Sequence, residues 1–464
     1  MPSLELAPAS PSREAFARDY LCSRKPGLFP VSPDLAHLRG LWTDEHLTAA
    51  AGEAQLEVEQ RRSAGEGFGK GHRVPLSFGE TLRRMAAGDA SLYLTTQAVG
   101  MAADGHPDLY ASPIAELAGD IPLVPHIMGK LVPQQINIWM GAAQDGSSTG
   151  LHTDFHDNLY VLLRGRKRFR LYPPQLASKM YTVGKVERVH PNGRIVFKGQ
   201  GDVLPDGSDA GEARQYLARH DAEQELAAAE AAVAQGLPGA AKRLKAAEEQ
   251  LDEVLEAALG DDFDALDDFD AMEEAVPPPR PAAAGDPDSF CRVDLNLTDA
   301  QLKKKFPQFP GKAAALECIV DAGQMLYLPA GWFHEVTSYA TEGCPTHLAL
   351  NYWYHPPDNL KDAAAALEQP YTSDFWPAVW EGRRAEYEAR HRQQQQVKQP
   401  DSQLQGQEPE AEAAQTKSKK GKGGSKAAGK QAAAGKQAAV AADSKAGKRK
   451  KQSQAADSKK RKAA

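Results

Sequence analysis

Residues 149–160 read TGLHTDFHDNLY and residues 329–334 read PAGWFH, and these two stretches decide the fold and chemistry that we predict. Residues two apart on a β-strand point to the same side, so His152 and Asp154 are expected to reach one metal ion together. His334 lies in a second strand-like run, residues 324–337, and supplies the third ligand. Two histidines and one carboxylate on one face of a metal are typical of Fe(II) sites with open positions. A His-x-Asp triplet alone is more often part of an ordinary loop, so the interpretation depends on the residues around it.

Lys167 is the strongest of these surrounding signals. Residues 158–172 alternate as two strands that turn near Gly165, and Lys167 shares its face with Phe169 and Leu171. It is therefore expected to point into a barrel, where an ammonium needs an anionic partner such as the distal carboxylate of 2-oxoglutarate. The alternative is a lysine at a strand end that extends its ammonium to solvent.

Further polar side chains are candidates to face the same pocket. Residues 347–354 alternate and place Asn351 and Trp353 on one face. A buried asparagine needs hydrogen-bond partners, so this pair is either part of the site or a satisfied core amide beside an ordinary packing residue. Thr149 and Tyr93 are two hydroxyl candidates, although strand tyrosines are often half-buried packing residues.

In combination, these motifs resemble a JmjC domain. The resemblance runs from about Asp19 to Tyr371, is interrupted by one insertion, and depends on residues 149–160, 165–169, 323–334 and 351–354. Within that superfamily the chain is most similar to the small JmjC-only protein hydroxylases, in particular the lysyl (3S)-hydroxylases.

The resemblance implies a mainly β fold, a double-stranded β-helix of the jelly-roll or cupin type, with flanking helices. It implies Fe(II) bound by His152, Asp154 and His334, with 2-oxoglutarate as cosubstrate and O₂ as oxidant. It gives His156 no ligand role. The residues that it implies around 2-oxoglutarate are Lys167, Tyr93, Thr149, Asn158, Asn351 and Trp353, and for Tyr93 and Thr149 this role rests on the resemblance alone.

The reaction that the resemblance implies is hydroxylation of a protein, on a lysine side chain of a substrate such as a GTP-binding protein. JmjC demethylases often carry glutamate as the acidic ligand and the hydroxylases aspartate, so Asp154 favours a stable hydroxylated product. Three alternatives remain: an N-methyl-lysine or N-methyl-arginine demethylase, a peptidase acting on histone tails, and a non-enzymatic protein associated with nucleic acid or the ribosome. No residue marks a peptidase nucleophile, and the intact triad with Lys167 argues against the non-enzymatic alternative.

Composition predicts an intracellular protein. The four cysteines show neither CxxC pairing nor zinc-like spacing, which is typical of reduced thiols. The sequence shows no signal-like apolar segment and no run long enough to span a membrane. We therefore expect a protein without a membrane partner, located in the nucleus and cytoplasm.

Shifts in composition divide the chain into six segments. These are an N-terminal helical or flanking segment (1–80), the first part of the barrel (81–203), an Ala/Glu/Asp-rich insertion (204–288), the second part of the barrel (289–371), a C-terminal helix (372–392) and a disordered basic tail (393–464). Within the insertion, residues 212–259 predict either a helical hairpin or a partly ordered excursion. Residues 261–270 interleave acidic and aromatic side chains, which favours disorder over docking to a basic partner.

The two C-terminal segments suggest partners. Trp376, Val379 and Trp380 form an apolar patch on the predicted helix, which serves either a homodimer or packing against the chain's own barrel. From Lys417 onward the tail carries 16 Lys and Arg against two Asp, a net charge of +14, in a chain whose total is −7. This basic tail predicts a nuclear localisation signal or a weak, salt-sensitive contact with RNA or the ribosome.

Overall fold

The computed structural model describes residues 2–62, 71–102, 105–142, 146–263, 286–339, 341 and 344–397. Most strands belong to two antiparallel sheets. The strands are β1 (Gly27–Pro30), β2 (Gln55–Gln60), β3 (His72–Ser77), β4 (Leu92–Leu94), β5 (Pro133–Gly141), β6 (Ser147–Ser148), β7 (His152–Thr153), β8 (Asp157–Arg164), β9 (Arg166–Tyr172), β10 (Val186–Val189), β11 (Ile195–Phe197), β12 (Leu316–Asp321), β13 (Gln324–Leu328), β14 (Phe333–Tyr339) and β15 (His347–Tyr354).

The larger sheet has eight strands in the order β1-β13-β8-β15-β5-β4-β2-β3, and the smaller has the order β12-β9-β14-β6, with β7 also paired to β14. Strands β10 and β11 form a separate pair. Two facing antiparallel sheets with these crossovers form the predicted mainly β jelly-roll barrel.

Helices flank the barrel and form the insertion. They are α1 (Arg13–Phe16), α2 (Leu38–Leu41), α3 (Asp44–Ala51), α4 (Phe78–Ala86), α5 (Ile114–Leu117), α6 (Ala210–Ala234), α7 (Ala240–Phe263), α8 (Asp299–Lys305), α9 (Ala363–Glu368) and α10 (Phe375–Val397), with a π-helix at Ala17–Leu21 and 3₁₀ turns at Ala118–Asp120, His126–Met128, Pro174–Lys179 and Lys312–Ala314. In the described part of the chain, none of the helices combines the length and apolar character that crossing a bilayer requires.

The two faces of β15 show how the larger sheet is buried on both sides. Leu348, Leu350 and Tyr352 belong to the core that also contains the N-terminal helices. The alternate residues, among them Ala349 and Asn351, point into the barrel and are also buried. Polar groups on this inner face therefore have no access to bulk solvent and depend on each other or on a bound molecule.

A single glycine turns the chain from β8 into β9. Gly165 has φ +78°, a conformation that L side chains rarely adopt. A Cβ atom there would lie 2.7 Å from Cβ of His347 and 2.9 Å from the carbonyl oxygen of Tyr339. This tight turn fixes the register in which Lys167 faces inward, as the sequence predicted.

The N-terminal segment contains the predicted helices and also three strands that the sequence analysis did not foresee. Strands β1, β2 and β3 all join the larger sheet, so the proposed boundary at residues 80–81 does not separate strands from flanking helices. The edge strand β3 carries Pro75, which cannot donate a ladder hydrogen bond. That proline weakens the strand signal of β3, whereas β2 alternates Leu56 and Val58 with polar residues and could have been recognised.

Two details of the predicted strands were wrong. The run 324–337 forms two strands in different sheets, β13 and β14, because Pro329 and Gly331, which has φ +80°, turn the chain between them. Strand β7 is only two residues long, so Asp154 follows the strand and does not belong to it. The side chains of His152 and Asp154 nevertheless converge.

The C-terminal segment forms a helix as predicted, and the insertion is helical, which is one of the two alternatives that the sequence left open. Helices α6 and α7 form a hairpin joined near Gly236, and alanines of both helices are buried. Trp376 stacks on His355 with ring centroids 3.4 Å apart, and Phe375 and Val379 are buried against α6. The apolar patch of α10 therefore packs on its own chain. The homodimer stays a prediction, and most of the acidic stretch and the tail beyond residue 397 lie outside the described residues.

Candidate metal centre

Three predicted ligands meet at one end of the smaller sheet. His152 on β7 and His334 on β14 are register partners, which brings two residues far apart in sequence side by side. One Oδ atom of Asp154 lies 4.0 Å from Nε2 of His152, and the other lies 3.6 Å from Nε2 of His334. All three ligand atoms lie within 4.8 Å of one another, a spacing that one metal ion can bridge.

Backbone carbonyl groups orient both imidazoles. Nδ1 of His152 lies 3.0 Å from the carbonyl oxygen of Gly150, and Nδ1 of His334 lies 3.0 Å from that of Trp332. A proton on each Nδ1 is donated to the carbonyl, which leaves the lone pair of each Nε2 directed at Asp154 and available to a metal. Burial, with His334 next to it, lowers the pKa of His152 to about 4, so this ring is neutral, as ligation requires. Two imidazoles and one carboxylate fit Fe(II).

The turn before β14 positions the carboxylate ligand. The backbone N–H of Gly331 donates to the carbonyl oxygen of Asp154 at 3.0 Å. A Cβ on residue 331 would lie 1.8 Å from the carbonyl oxygen of Gly193, so only glycine fits this approach. The PAGWFH motif thus supplies His334 and also holds the backbone of Asp154.

A buried ion pair lies beneath the same turn. The guanidinium of Arg24 donates to both carboxylate oxygens of Asp157, at 2.5 and 2.7 Å. Asp157 also accepts from the Tyr327 hydroxyl at 2.6 Å and from the backbone N–H of Ala330 at 2.9 Å. Burial opposes the charge of Arg24, but Asp157 outweighs it and the pKa of Arg24 is raised. This network connects the start of β8 to the turn that precedes His334 on β14.

The triad lies on the wall of a cavity of about 350 Å³. Phe290 stacks on His152, with ring centroids 4.9 Å apart and an interplanar angle of 14°. The cavity is lined by the aromatic residues Tyr93, Trp139, Tyr160, Phe169, Phe290 and Trp353, by the polar residues Thr149 and Asn158, and by Glu59, Arg73, Thr95 and Thr96 from β2, β3 and the chain after β4. A volume of this size accommodates a small ligand and one side chain of a substrate.

Lys167 is fully buried and does not extend to solvent. Its Nζ donates to Oγ of Ser338 at 2.5 Å and lies 5.8 Å from the ring centroid of Tyr93. Burial lowers the pKa of Lys167 to about 7. Tyr93 itself lines the cavity, so the ammonium of Lys167 lies next to the cavity wall.

Asn351 takes part in a chain of amide hydrogen bonds behind the cavity wall. Nε1 of Trp139 donates to Oδ1 of Asn351 at 2.7 Å, and Nδ2 of Asn351 donates to Oδ1 of Asn158 at 3.1 Å. Asn351 is thus a hydrogen-bonded core amide that orients two residues of the lining, and its contact with 2-oxoglutarate stays a prediction. Trp353 on the same face lines the cavity directly.

Of the other predicted residues, Thr149 and Tyr93 line the cavity, whereas His156 does not belong to the ligand group. The Thr149 hydroxyl accepts from the backbone N–H of Val336 at 3.2 Å and lines the cavity. Tyr93 lines it as well, and burial raises the pKa of its hydroxyl. His156 lies outside the ligand group and stacks on Trp353, with ring centroids 5.9 Å apart.

Sequence reasoning missed several residues of this region. Glu59 and Arg73 belong to the unrecognised N-terminal strands. Ser338 and His347 were within reach, because Ser338 shares the face of His334 on β14 and His347 that of Asn351 on β15. Applying the two-residue period over the full length of both strands would have found them.

Comparison with known proteins agrees with this architecture. Residues 12–360 match the family described as a cupin-like domain. The chain is 31% identical to "JmjC domain-containing protein 4" of Schizosaccharomyces pombe, over 78% of this chain and 86% of that protein. It is 24% identical to a bifunctional peptidase and (3S)-lysyl hydroxylase of Homo sapiens, over 75% and 82% of the two chains, and 24% identical to a lysine-specific demethylase of Arabidopsis thaliana, over 76% and 82%.

The family match spans most of the chain, and the barrel, the triad and the turn motif all lie within it. The chain therefore belongs to the cupin-like family and is a JmjC-domain, 2-oxoglutarate-dependent oxygenase.

Proposed function

We propose that this oxygenase binds Fe(II) through His152, Asp154 and His334 and hydroxylates a lysine side chain of a protein substrate. The observation that supports this most is the convergence of three ligand atoms within 4.8 Å on the wall of a cavity. The two Nε2 atoms are presented by Nδ1 hydrogen bonds to the backbone, so the ligands are arranged before the metal arrives.

When bound, iron and 2-oxoglutarate supply the oxidising power, with O₂ consumed and succinate and CO₂ released. The chain's own residues bind, orient and exclude water. Asn158, Thr149 and Tyr93 line the cavity beside the triad, and Lys167 supplies positive charge behind Tyr93. Phe290 and Trp353 cover the site with apolar surface, which keeps water from the reacting atoms.

The choice between hydroxylation and demethylation depends on the substrate that enters. Both reactions start with oxidation of a C–H bond, and relatives named for each are similarly distant from this chain. Asp154 as the acidic ligand favours hydroxylation, which is why we place it first. Demethylation of an N-methyl-lysine is the second candidate, and release of formaldehyde distinguishes it.

The cavity lining includes a carboxylate that suits a cationic side chain. Glu59 contributes a carboxylate to the lining, in addition to the ligand Asp154. Arg73 lines the same region, and its guanidinium donates to the carbonyl oxygens of Glu57 and Thr96. A lysine from a protein such as a GTP-binding protein remains the substrate that we propose. The basic tail supports access to both nucleus and cytoplasm and a weak contact with nucleic acid or the ribosome.

The test is turnover of the full chain with Fe(II), 2-oxoglutarate and a lysine-containing peptide from a GTP-binding protein. We expect succinate and a peptide heavier by one oxygen on lysine, both reduced more than about a hundredfold in Asp154→Ala, since even residues outside the ligand sphere are worth 10- to 100-fold. The matched control is Asp321→Ala, which removes an exposed carboxylate paired with Arg166 and leaves turnover unchanged. Formaldehyde from a methylated peptide would instead establish the demethylase.

A further inference from the structure

Polar side chains from four strands meet at the end of the barrel interior that lies away from the triad. They are Tyr93, Lys167, Ser338 and His347, and all four are at most 3% exposed. On β14 and β9, Ser338 is the register partner of Lys167, and His334 is the partner of Leu171. We call this polar group the inner cluster. The backbone of Ser338 thus lies four residues along β14 from that of His334, about 13 Å at the usual strand rise. Tyr93 of the inner cluster lines the same cavity as His334.

The charge in the inner cluster is incompletely compensated by the protein. Among the described residues, Lys167 has one hydrogen-bond partner, the neutral hydroxyl of Ser338 at 2.5 Å. An ammonium carries three donors, and its burial is costly unless an anion accompanies it. The inner cluster is therefore electrostatically suited to a carboxylate.

His347 is the second unusual member. It is fully buried, and neither of its ring nitrogens makes a hydrogen bond to any residue that the structure describes. Its ring centroid lies 5.9 Å from that of Tyr93. A buried nitrogen without a partner is uncommon in native proteins, and a water, an ion or a ligand bound there would satisfy it.

Glycine makes this arrangement possible. Gly141 is the register partner of both Tyr93 and His347 on neighbouring strands. A Cβ on residue 141 would lie 2.9 Å from Nε2 of His347 and 3.0 Å from Cδ2 of Tyr93. Because position 141 has no side chain, the imidazole edge of His347 faces Tyr93 directly.

The protonation of His347 suits an anion as well. Burial, and then the neighbouring Lys167, lower the pKa of His347 well below its usual value. The ring is therefore neutral and offers one N–H donor, while Lys167 supplies the charge. A carboxylate has two oxygens and about four lone-pair sites, enough to accept from both side chains at once.

We infer that His347 is a further cosubstrate-binding residue, which together with Lys167 holds the distal carboxylate of 2-oxoglutarate. The inference rests on the proposed function, since it assumes that 2-oxoglutarate chelates a metal at the triad. If His347 recognises this carboxylate, its replacement weakens the binding of ligands that carry the group. If His347 only packs in the core, its replacement affects ligands with and without the group alike.

The experiment compares two ligands that differ in this carboxylate. The full chain is loaded with Mn(II) so that no turnover occurs, and 2-oxoglutarate or 2-oxobutyrate is titrated by calorimetry. The variants are His347→Leu, which removes the donor, and His347→Gln, which keeps an N–H donor. We expect His347→Leu to weaken 2-oxoglutarate binding about tenfold, the loss of one hydrogen bond to a charged group. Binding of 2-oxobutyrate should change less than about twofold, and His347→Gln should recover most of the affinity.

A control on the same strand separates recognition from packing. Tyr352→Phe removes a buried hydroxyl that donates to the carbonyl oxygen of Pro122 on the opposite face of β15, and it should leave both affinities unchanged. Equal weakening of both ligands by His347→Leu, or no weakening of either, would overturn the inference. If the unaltered protein binds Mn(II) but not 2-oxoglutarate, the proposed function itself fails, which is a distinguishable result.

Discussion

Two cations that the fold shields from solvent, Arg24 and Lys167, are compensated in opposite ways. Arg24 donates to both carboxylate oxygens of Asp157, which also contacts the turn before His334, and the pKa of Arg24 is raised. Lys167, in the inner cluster, has a neutral hydroxyl as its partner, and its pKa is lowered to about 7. In this pair, the cation that is compensated by a carboxylate of the chain stabilises the fold, whereas the cation with a neutral partner is available to an anionic ligand.

The largest effect is expected where the compensated pair is broken. Arg24→Met leaves the buried Asp157 carboxylate without its counter-ion, which costs about 3–5 kcal/mol in the free energy of unfolding. Urea denaturation measures this loss directly. A matched control is Arg166→Met, whose exposed partner is Asp321 and whose loss should change stability by less than about 1 kcal/mol. If Arg24→Met lowered the free energy of unfolding as little as Arg166→Met does, Arg24 could not be regarded as a cation that stabilises the fold.

Lys167→Met should act in the opposite direction on stability. The pKa of Lys167 is lower in the folded protein than its usual value of 10.5. Below pH 10.5 the unfolded chain therefore binds this proton more strongly than the folded chain does, which lowers the free energy of unfolding. We therefore expect the ligand-free variant to melt at least about 2 °C higher at pH 7.5. The affinity for 2-oxoglutarate should fall at least about 30-fold, because the buried carboxylate loses its counter-ion. A lower melting temperature with unchanged affinity would contradict the assignment.

The affinity for 2-oxoglutarate should depend on pH through the protonation of Lys167. Below pH 7 Lys167 is protonated before binding, and above pH 7 binding of the carboxylate must be accompanied by uptake of a proton. The affinity for 2-oxoglutarate should therefore be flat below about pH 7 and fall about tenfold per pH unit above it. Tyr93 and His347 are the titratable groups that face Lys167, and both are neutral in this range. Calorimetry from pH 6 to 9 gives the profile, and Lys167→Met should abolish the slope.

The smallest effect is expected for Ser338→Ala. This change removes the hydroxyl that accepts from Nζ of Lys167 while leaving the charge in place. We expect about a threefold loss of affinity for 2-oxoglutarate at pH 7.5, the value of one ordinary hydrogen bond. The pH at which affinity begins to fall should move lower. A loss as large as that of Lys167→Met would show that the hydroxyl, and not the ammonium, dominates recognition.

Period-two alternation predicted the inward direction of Lys167, Asn351 and Trp353 because successive side chains of a long β-strand point to opposite faces. It could not place Asp154, which follows a strand of only two residues and is held by a backbone hydrogen bond from Gly331. Local sequence patterns do not predict which distant segments contact each other. The pairing of Arg24 with Asp157 joins residues 133 positions apart and leaves no periodic signal in either segment.

That pairing also sets an order of events during synthesis. Asp157 accepts hydrogen bonds from Arg24 near one end of the barrel sequence and from Ala330, 173 positions further along than itself. The hydrogen bonds of Asp157 that support the turn before His334 are therefore complete only after residue 330 has been synthesised and three distant segments have met. Contacts of such long range form slowly. We expect iron to enter a barrel that is already closed, so that the nascent chain acquires its metal only as one of the last steps of maturation.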